Sequence, residues 1–576
     1  MPSPYTRIGS DGGFPHSNSD TSYPSWASSN GSPRNSKLSS IEARFSLPAD
    51  PNTWGSAVSR NHREPDDVLH NLDREYPHSS IFSSRGMSNV GCLLLLTACI
   101  LALFVGYPII DAFRKPTIPT VGVNATGQVP EFLGGSWGLI DSDTPNDART
   151  YTSLEDGTKL ELVFSDEFNT DGRTFYPGDD PFWEAADLHY WGTNNLEWYD
   201  PEAVTTANGS LKITLSKKVT HGLNYEGGMI QTWNKFCFTG GLVVASVVLP
   251  GFSNIAGLWP AVWAMGNLGR AGYGASLEGL WPYSYDACDV GTLQNQTLNG
   301  EPRLATVDGD AQYGGVLAYS IGQRLSRCTC AGESHPGPKH SDGTYVGRAA
   351  PEIDMLEAQI GSNFEAISGG AIAGEVSQSC QFAPFNYKYE WLKNSNTYTF
   401  YNTTGTKFNG YSGGVYQQAA SAVTRTNQEC YSMESGCFSV YGFEYKPGYD
   451  EGYITWLSDN KKAWTLRGSG LAADNNVKIS ARPIPQEPMY LIANLGLSEN
   501  FGDVDLQHLK FPVSMLIDYI RVYQDPKKMN VGCDPKDFPT AAYIAQYPEA
   551  YTNANLTTWK DDYKQAWPKN SLIDQC

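Results

Sequence analysis

The chain has 576 residues and a net charge of −20, with no basic run longer than a pair. That balance argues against a nucleic-acid partner and for a solvated acidic surface, and the length exceeds what one ordinary core fills. Aromatic residues make up 12% of the chain, beside 57 Gly and 35 Pro. With long amphipathic runs scarce, this composition reads as all-β with many turns.

Residues 1–86 hold 19 Ser and 9 Pro without apolar periodicity. Such a segment buries too little apolar surface to offset chain entropy and reads as a disordered cytosolic tail. Val90 to Ile110 is a 21-residue stretch without a charge. As a helix it would reach about 30 Å, a bilayer core, so residues 87–110 are expected to form a transmembrane signal anchor. It lies too far along the chain for an ordinary cleaved signal peptide.

Flanking charges (Arg85 against Arg114 and Lys115) barely orient this span. Asn-x-Ser/Thr acceptors follow it at Asn124, Asn208, Asn295, Asn402 and Asn555, and precede it only at Asn30, close to Pro33. No cysteine precedes the span, two lie within it and nine follow. Both patterns place the C-terminal bulk in an oxidising lumen or outside the cell, as a single-pass type II membrane protein of the secretory pathway. Nine is odd, so at least one thiol is free or paired with another chain. Cys430 and Cys437 suit a short-loop disulfide, whereas Cys328 and Cys330 more readily seek partners such as Cys288.

Residues 111–155 read as a lumenal stalk. From Leu160 short apolar runs alternate with turns: Leu160–Phe164, Leu211–Leu215, Gly241–Leu249, Gly452–Trp456, Met489–Leu495 and Met515–Tyr523. That is strand composition at sandwich spacing, over a domain of residues 156–525. Residues 526–576 form a polar extension that could fold back through Cys533 or Cys576.

The residues with the most chemistry are Glu352-Ile353-Asp354-Met355-Leu356-Glu357. On a strand Glu352 and Asp354 share a face, and simple parity puts Glu357 on the other. A one-residue β-bulge at Met355-Leu356 would bring Glu357 round to join them. Crowded carboxylates raise one another's pKa, which stabilises little and serves acid/base chemistry; a solvated acidic strand or a cation site is the plainer alternative. A sugar groove needs flat aromatic faces. Trp191, Trp198, Trp233, Trp259 and Trp263 are candidates, with Gly257-Leu258-Trp259-Pro260-Ala261-Val262-Trp263 the best placed.

The acidic hexapeptide, the Leu-Trp-Pro-Ala-Val-Trp run before it and the ending Ile517-Asp518-Tyr519-Ile520-Arg521-Val522-Tyr523 together resemble glycoside hydrolase family 16. Further stretches, Gly227–Lys235, Cys237–Gly241 and Gly266–Gly274, are similar to fungal β-glucan synthesis-associated proteins of the Kre6/Skn1 type. The resemblance implies a concanavalin-like jelly roll of two antiparallel sheets and a retaining two-carboxylate mechanism. It implies Glu352 as nucleophile, Glu357 as acid/base and Asp354 as the group tuning them. Trp259, Trp263, Trp233, Trp198 and Asn195 would contact a β-glucan, in cell-wall β-glucan (especially β-1,6-glucan) assembly, alongside the glucan synthesis machinery.

Two features depart from the family pattern. Gly241-Leu242-Val243-Val244 lacks a charged pair that many members carry, and 88 residues separate Trp263 from Glu352, with an insert at about 270–350. The insert would lid the groove, block it, or merely decorate the surface. No cofactor and no catalytic metal are expected, and a structural Ca²⁺ among Asp166, Glu167 and the late strands is left open. The rival to a hydrolase or transglycosylase is a non-catalytic glucan-binding scaffold on the same sandwich.

Overall fold

In the computed structural model, residues 84–101, 104 and 138–576 are described. Two units are distinguished, one holding residues 8–118 and the other the folded domain to Cys576. In the first, an α-helix covers Ser84–Leu101, with Leu93, Leu94 and Leu95 each more than 60% exposed. Among the described residues no helix is long and apolar enough to cross a membrane, so the expected 87–110 span is not seen as one helix. Its remainder lies mostly outside the described residues, as do the expected disordered tail up to residue 83 and Asn124.

The second unit is an all-β sandwich of a 10-stranded and an 11-stranded sheet. Each sheet is almost wholly antiparallel; one short parallel pairing joins Glu197–Tyr199 to Tyr225–Gln231. All six apolar runs expected as strands coincide with strands, only Leu249 and Gly452 falling one residue outside. The core between the sheets is built by alternation. Val243, Ala245 and Val247 point into it from one sheet, and Val262 and Ala264 from the other. Trp456 and Trp464 stack within it, ring centroids 4.4 Å apart.

The structure shifts the domain start. Residues expected as stalk already belong to the sandwich, since Thr150–Thr152 pairs with Lys159–Asp166 as an edge strand. Glu155 accepts from Thr455 (2.6 Å) and pairs with Arg467. The uncharged Gly241–Val248 strand lies in the 10-stranded sheet between Ser439–Lys446 and Val513–Gln524. Its side chains enter apolar clusters on both faces, so charge there would be buried without a ligand.

The insert is not a bare loop. Short helical turns order it around Tyr283, Tyr285, Leu317 and Ala349, which pack against Phe385, Val477 and Ile479 of the sandwich. Disulfides Cys288–Cys328 and Cys330–Cys576 staple it, Cys237–Cys533 ties the extension to the sheet, and Cys430–Cys437 closes the short loop. The ninth cysteine after the apolar run, Cys380, is free and buried.

Candidate active site

The 11-stranded sheet carries the acidic hexapeptide on the strand Glu352–Gly361, between Leu258–Gly266 and Ala373–Phe382. Pairing runs Trp263 with Asp354 but Val262 with Leu356, so Met355 has no partner across the ladder. On the other side Asp354 faces Ser379 and Glu357 faces Ser377, with the same slip. Met355 and Leu356 both enter the inter-sheet core, two consecutive apolar side chains on one face. The bulge therefore re-aims Glu357, and all three carboxylates line one cavity on the outer face of the sheet.

That cavity holds about 1220 Å³, counting its open mouth. One half is aromatic, from Tyr190, Tyr199, Trp259, Trp263 and Phe501; the other, from Gln381, Asn409, Tyr411, Gln417 and Ser421, is polar and uncharged. The acids stand at the seam. Trp259 Nε1 donates to Glu357 Oε1 at 3.2 Å, and Trp281 Nε1 donates to Glu352 Oε2. Asp354 Oδ2 accepts from Ser379 Oγ at 2.6 Å and Gln381 Nε2 at 3.1 Å. Trp456 reaches from the opposite sheet and fixes the bulge, its Nε1 2.8 Å from the Asp354 carbonyl oxygen.

Burial pushes Glu352 and Glu357 well above the usual carboxylate range, and the Asp354 charge pushes both further. Asp354 is also raised by burial, against the hydrogen bonds from Ser379, Glu352 and Gln381, which favour its ionised form. The trio therefore retains protons that isolated carboxyls would have lost, and titrates as a unit.

A second network holds the aromatic half. Trp263 Nε1 donates to Asn494 Oδ1 (2.8 Å), Asn494 Nδ2 to the Tyr199 hydroxyl (3.2 Å), and Asn195 Nδ2 to Glu197 Oε1 (2.6 Å). Glu197 is wholly buried, and burial raises it to about 7.

Of the residues proposed from sequence, Glu352, Asp354, Glu357, Trp259, Trp263 and Asn195 line the cavity. Trp233 and Trp198 do not. Trp233 stacks on Tyr551 of the C-terminal extension, centroids 5.4 Å apart, and Trp198 lies against His221 with its Nε1 on Asp187. Asp166 pairs with Arg173 and Glu167 with Arg521. Asn208, Asn402 and Asn555 are exposed and Asn295 is half-buried.

Sequence reasoning missed Trp281, Phe501 and Tyr411. Trp281 carried a signal: Gly279-Leu280-Trp281-Pro282 repeats the Gly257-Leu258-Trp259-Pro260 tetrapeptide. Each copy delivers an indole N–H to one of the two glutamates.

The chain is 41% identical over 530 residues to the beta-glucan synthesis-associated protein KRE6 of Saccharomyces cerevisiae, covering 89% of this chain and 69% of that one. It is 40% identical over 532 residues to SKN1 of Candida albicans, covering 90% and 67%. Among solved structures it matches the catalytic domain of an endo-1,3-beta-glucanase (laminarinase) from Thermotoga petrophila at 20% identity and TM-score 0.35, over 64% of this chain and 98% of that one. An endo-beta-1,3-glucanase from Pyrococcus furiosus matches at 17% identity and TM-score 0.36, over 66% and 98%. The model for the beta-glucan synthesis-associated proteins SKN1/KRE6/Sbg1 matches residues 56–576, and the chain belongs to that family.

Proposed function

We propose that this protein cleaves and re-forms β-glucan chains by a retaining mechanism, as a membrane-anchored hydrolase or transglycosylase in fungal cell-wall β-glucan assembly, particularly of β-1,6-glucan. One observation carries the reading: the bulge gathers three carboxylates, Asp354 buried and Glu352 and Glu357 half-buried, onto one face, at the floor of a half-aromatic cavity. Family membership supports the glucan. The exposed leucines of Ser84–Leu101, at the start of the longer uncharged run, support the anchor.

The chemistry follows from proton placement. Glu357, held protonated by burial, gives its proton to the leaving glycosidic oxygen as the C1–O bond breaks. Glu352 must attack as a carboxylate. Its proton passes to Asp354, with which it shares a hydrogen bond, and the Trp281 N–H stabilises the charge left behind. A glycosyl ester forms on Glu352, and Glu357, now ionised, takes the proton of the incoming hydroxyl. Water gives hydrolysis; a sugar hydroxyl gives transfer.

Product separation after incubation with β-1,3- and β-1,6-linked gluco-oligosaccharides tests this. Glu352→Gln is expected to lose activity by about a thousandfold or more, with the anomeric configuration of early wild-type products retained. Equal turnover by Glu352→Gln would overturn it. One feature favours a non-catalytic, glucan-holding reading: indole N–H groups already engage both glutamates. Oligosaccharide binding without turnover, and normal wall assembly with Glu352→Gln, would select that reading.

A further inference from the structure

The insert packs against the polar end of the cavity. Tyr411 and Gln417 line it, the Tyr411 hydroxyl accepting from Gln417 Nε2 at 3.3 Å. The insert folds a small hairpin against the segment between these two residues. Asp310 and Val316 are bridged across the hairpin, and the Tyr319 N–H donates to the Val415 carbonyl at 2.7 Å. The two segments are in ordinary contact at Gly414, where a Cβ would lie 3.5 Å from Asp310 Oδ2 and 3.6 Å from the Tyr411 hydroxyl.

Where this hairpin meets the facing segment stands a tyrosine cluster that the proposed catalytic chemistry does not use. Tyr313 meets Tyr319 and Tyr416 edge to face, with centroids 5.4 Å and 6.1 Å away. Tyr416 directly precedes the cavity-lining Gln417. Tyr319, just after the hairpin, is 44% exposed, an open aromatic surface held by its backbone bond to Val415. Tyrosine presents an apolar face that covers the C–H side of a pyranose and a hydroxyl that meets its rim, at low cost in side-chain entropy. A cluster whose packing holds the rings in place is preorganised for that contact.

We propose that Tyr313, Tyr319 and Tyr416 form a distal glucan subsite, continuous with the polar end of the cavity, that holds further sugar residues of the chain in the groove. The inference rests on the glucan reading of the cavity and adds to it a length requirement, supplied by the insert. Long oligosaccharides span from the carboxylates to the tyrosines, and short ones reach only the carboxylates.

The test is calorimetric binding of a β-linked gluco-trisaccharide and gluco-octasaccharide, in both linkages, to the full chain carrying Glu352→Gln to prevent turnover. Tyr319→Ala in that background is expected to weaken the octasaccharide about tenfold and leave the trisaccharide unchanged, while Tyr319→Phe keeps octasaccharide affinity within about threefold because the ring face remains. Unchanged octasaccharide affinity in Tyr319→Ala would overturn the subsite, as would equal weakening of both ligands or equal losses in the Ala and Phe variants. Tyr416→Ala gives a second reading of the same cluster if Tyr319→Ala fails to fold. Absence of any oligosaccharide binding by the parent would instead remove the glucan reading itself.

Discussion

Glu352 and Glu357 are held at a cost to the fold. Both are pushed up by burial and by the Asp354 charge, so the folded state binds protons that the unfolded chain releases. A carboxyl raised on folding contributes most to stability below its unfolded value of about 4.3, and that contribution is lost as pH rises toward the folded value. At neutral pH the trio therefore works against folding. Replacing either glutamate by the neutral isostere removes that penalty while removing the chemistry. Glu352→Gln and Glu357→Gln are each expected to raise the melting temperature at pH 7 by about 2–4 °C for every kcal/mol recovered, with the gain shrinking toward pH 4. Thermal melts at the two pH values check this. Melting temperatures lowered equally at both would show that the side chains pack rather than strain.

Two elements of different origin divide control of the acids. The strand Leu258–Gly266 supplies Trp259 to Glu357, and the insert supplies Trp281 to Glu352. Each N–H stabilises the ionised carboxylate, so losing it raises the partner's pKa, by about one unit for a bond to a charged group. The consequences differ because the acids need opposite states. Trp259→Phe keeps Glu357 protonated to higher pH and moves the basic limb of the rate profile up. Trp281→Phe keeps Glu352 protonated to higher pH, so the acidic limb moves up and the profile narrows. Profiles of kcat/KM across pH distinguish them, and a common shift in one limb would break the assignment.

How much of this was legible follows from the range of each signal. Period-two alternation and a one-residue phase slip are local, so the strands and the need for a bulge at Met355-Leu356 could be read from the residues. Which sheet receives a strand is not local. Gly241–Val248, singled out for its missing charged pair, lies in the sheet opposite the cavity, and Trp198 and Trp233 have strong aromatic character yet face His221 and Tyr551. Trp281 was hidden because its partner is 71 residues away across an insert with no strand pattern.

At the scale of the whole molecule, the C-terminal extension acts as a brace for the cavity. Tyr543, Ile544, Tyr551 and Trp559 join Trp263, Met265 and Ile492 in one apolar cluster on the outer side of the sheet. Arg324 of the insert lies over the Trp559 ring, its guanidinium carbon 3.8 Å from the centroid, and Cys330–Cys576 anchors the end of the chain. Trp567 presses on Gly279, where a Cβ would lie 2.4 Å from the ring; the glycine, at φ +76°, permits that approach two residues before Trp281. The brace thus reaches from the disulfide through Trp567 to the indole that serves Glu352. Removing Trp559–Cys576 deletes a fully buried tryptophan, worth about 3–5 kcal/mol when truncated, and a disulfide closing a long loop, typically about 2–4 kcal/mol. The truncated protein is expected to melt well below the full chain. Where it remains folded, its kcat/KM profile is expected to show the acidic-limb shift of Trp281→Phe, with the basic limb unmoved because Trp259 sits on the sheet and stacks on Phe501, 4.3 Å between centroids. A folded truncation with the parent profile would show that the extension stabilises the domain without positioning Trp281.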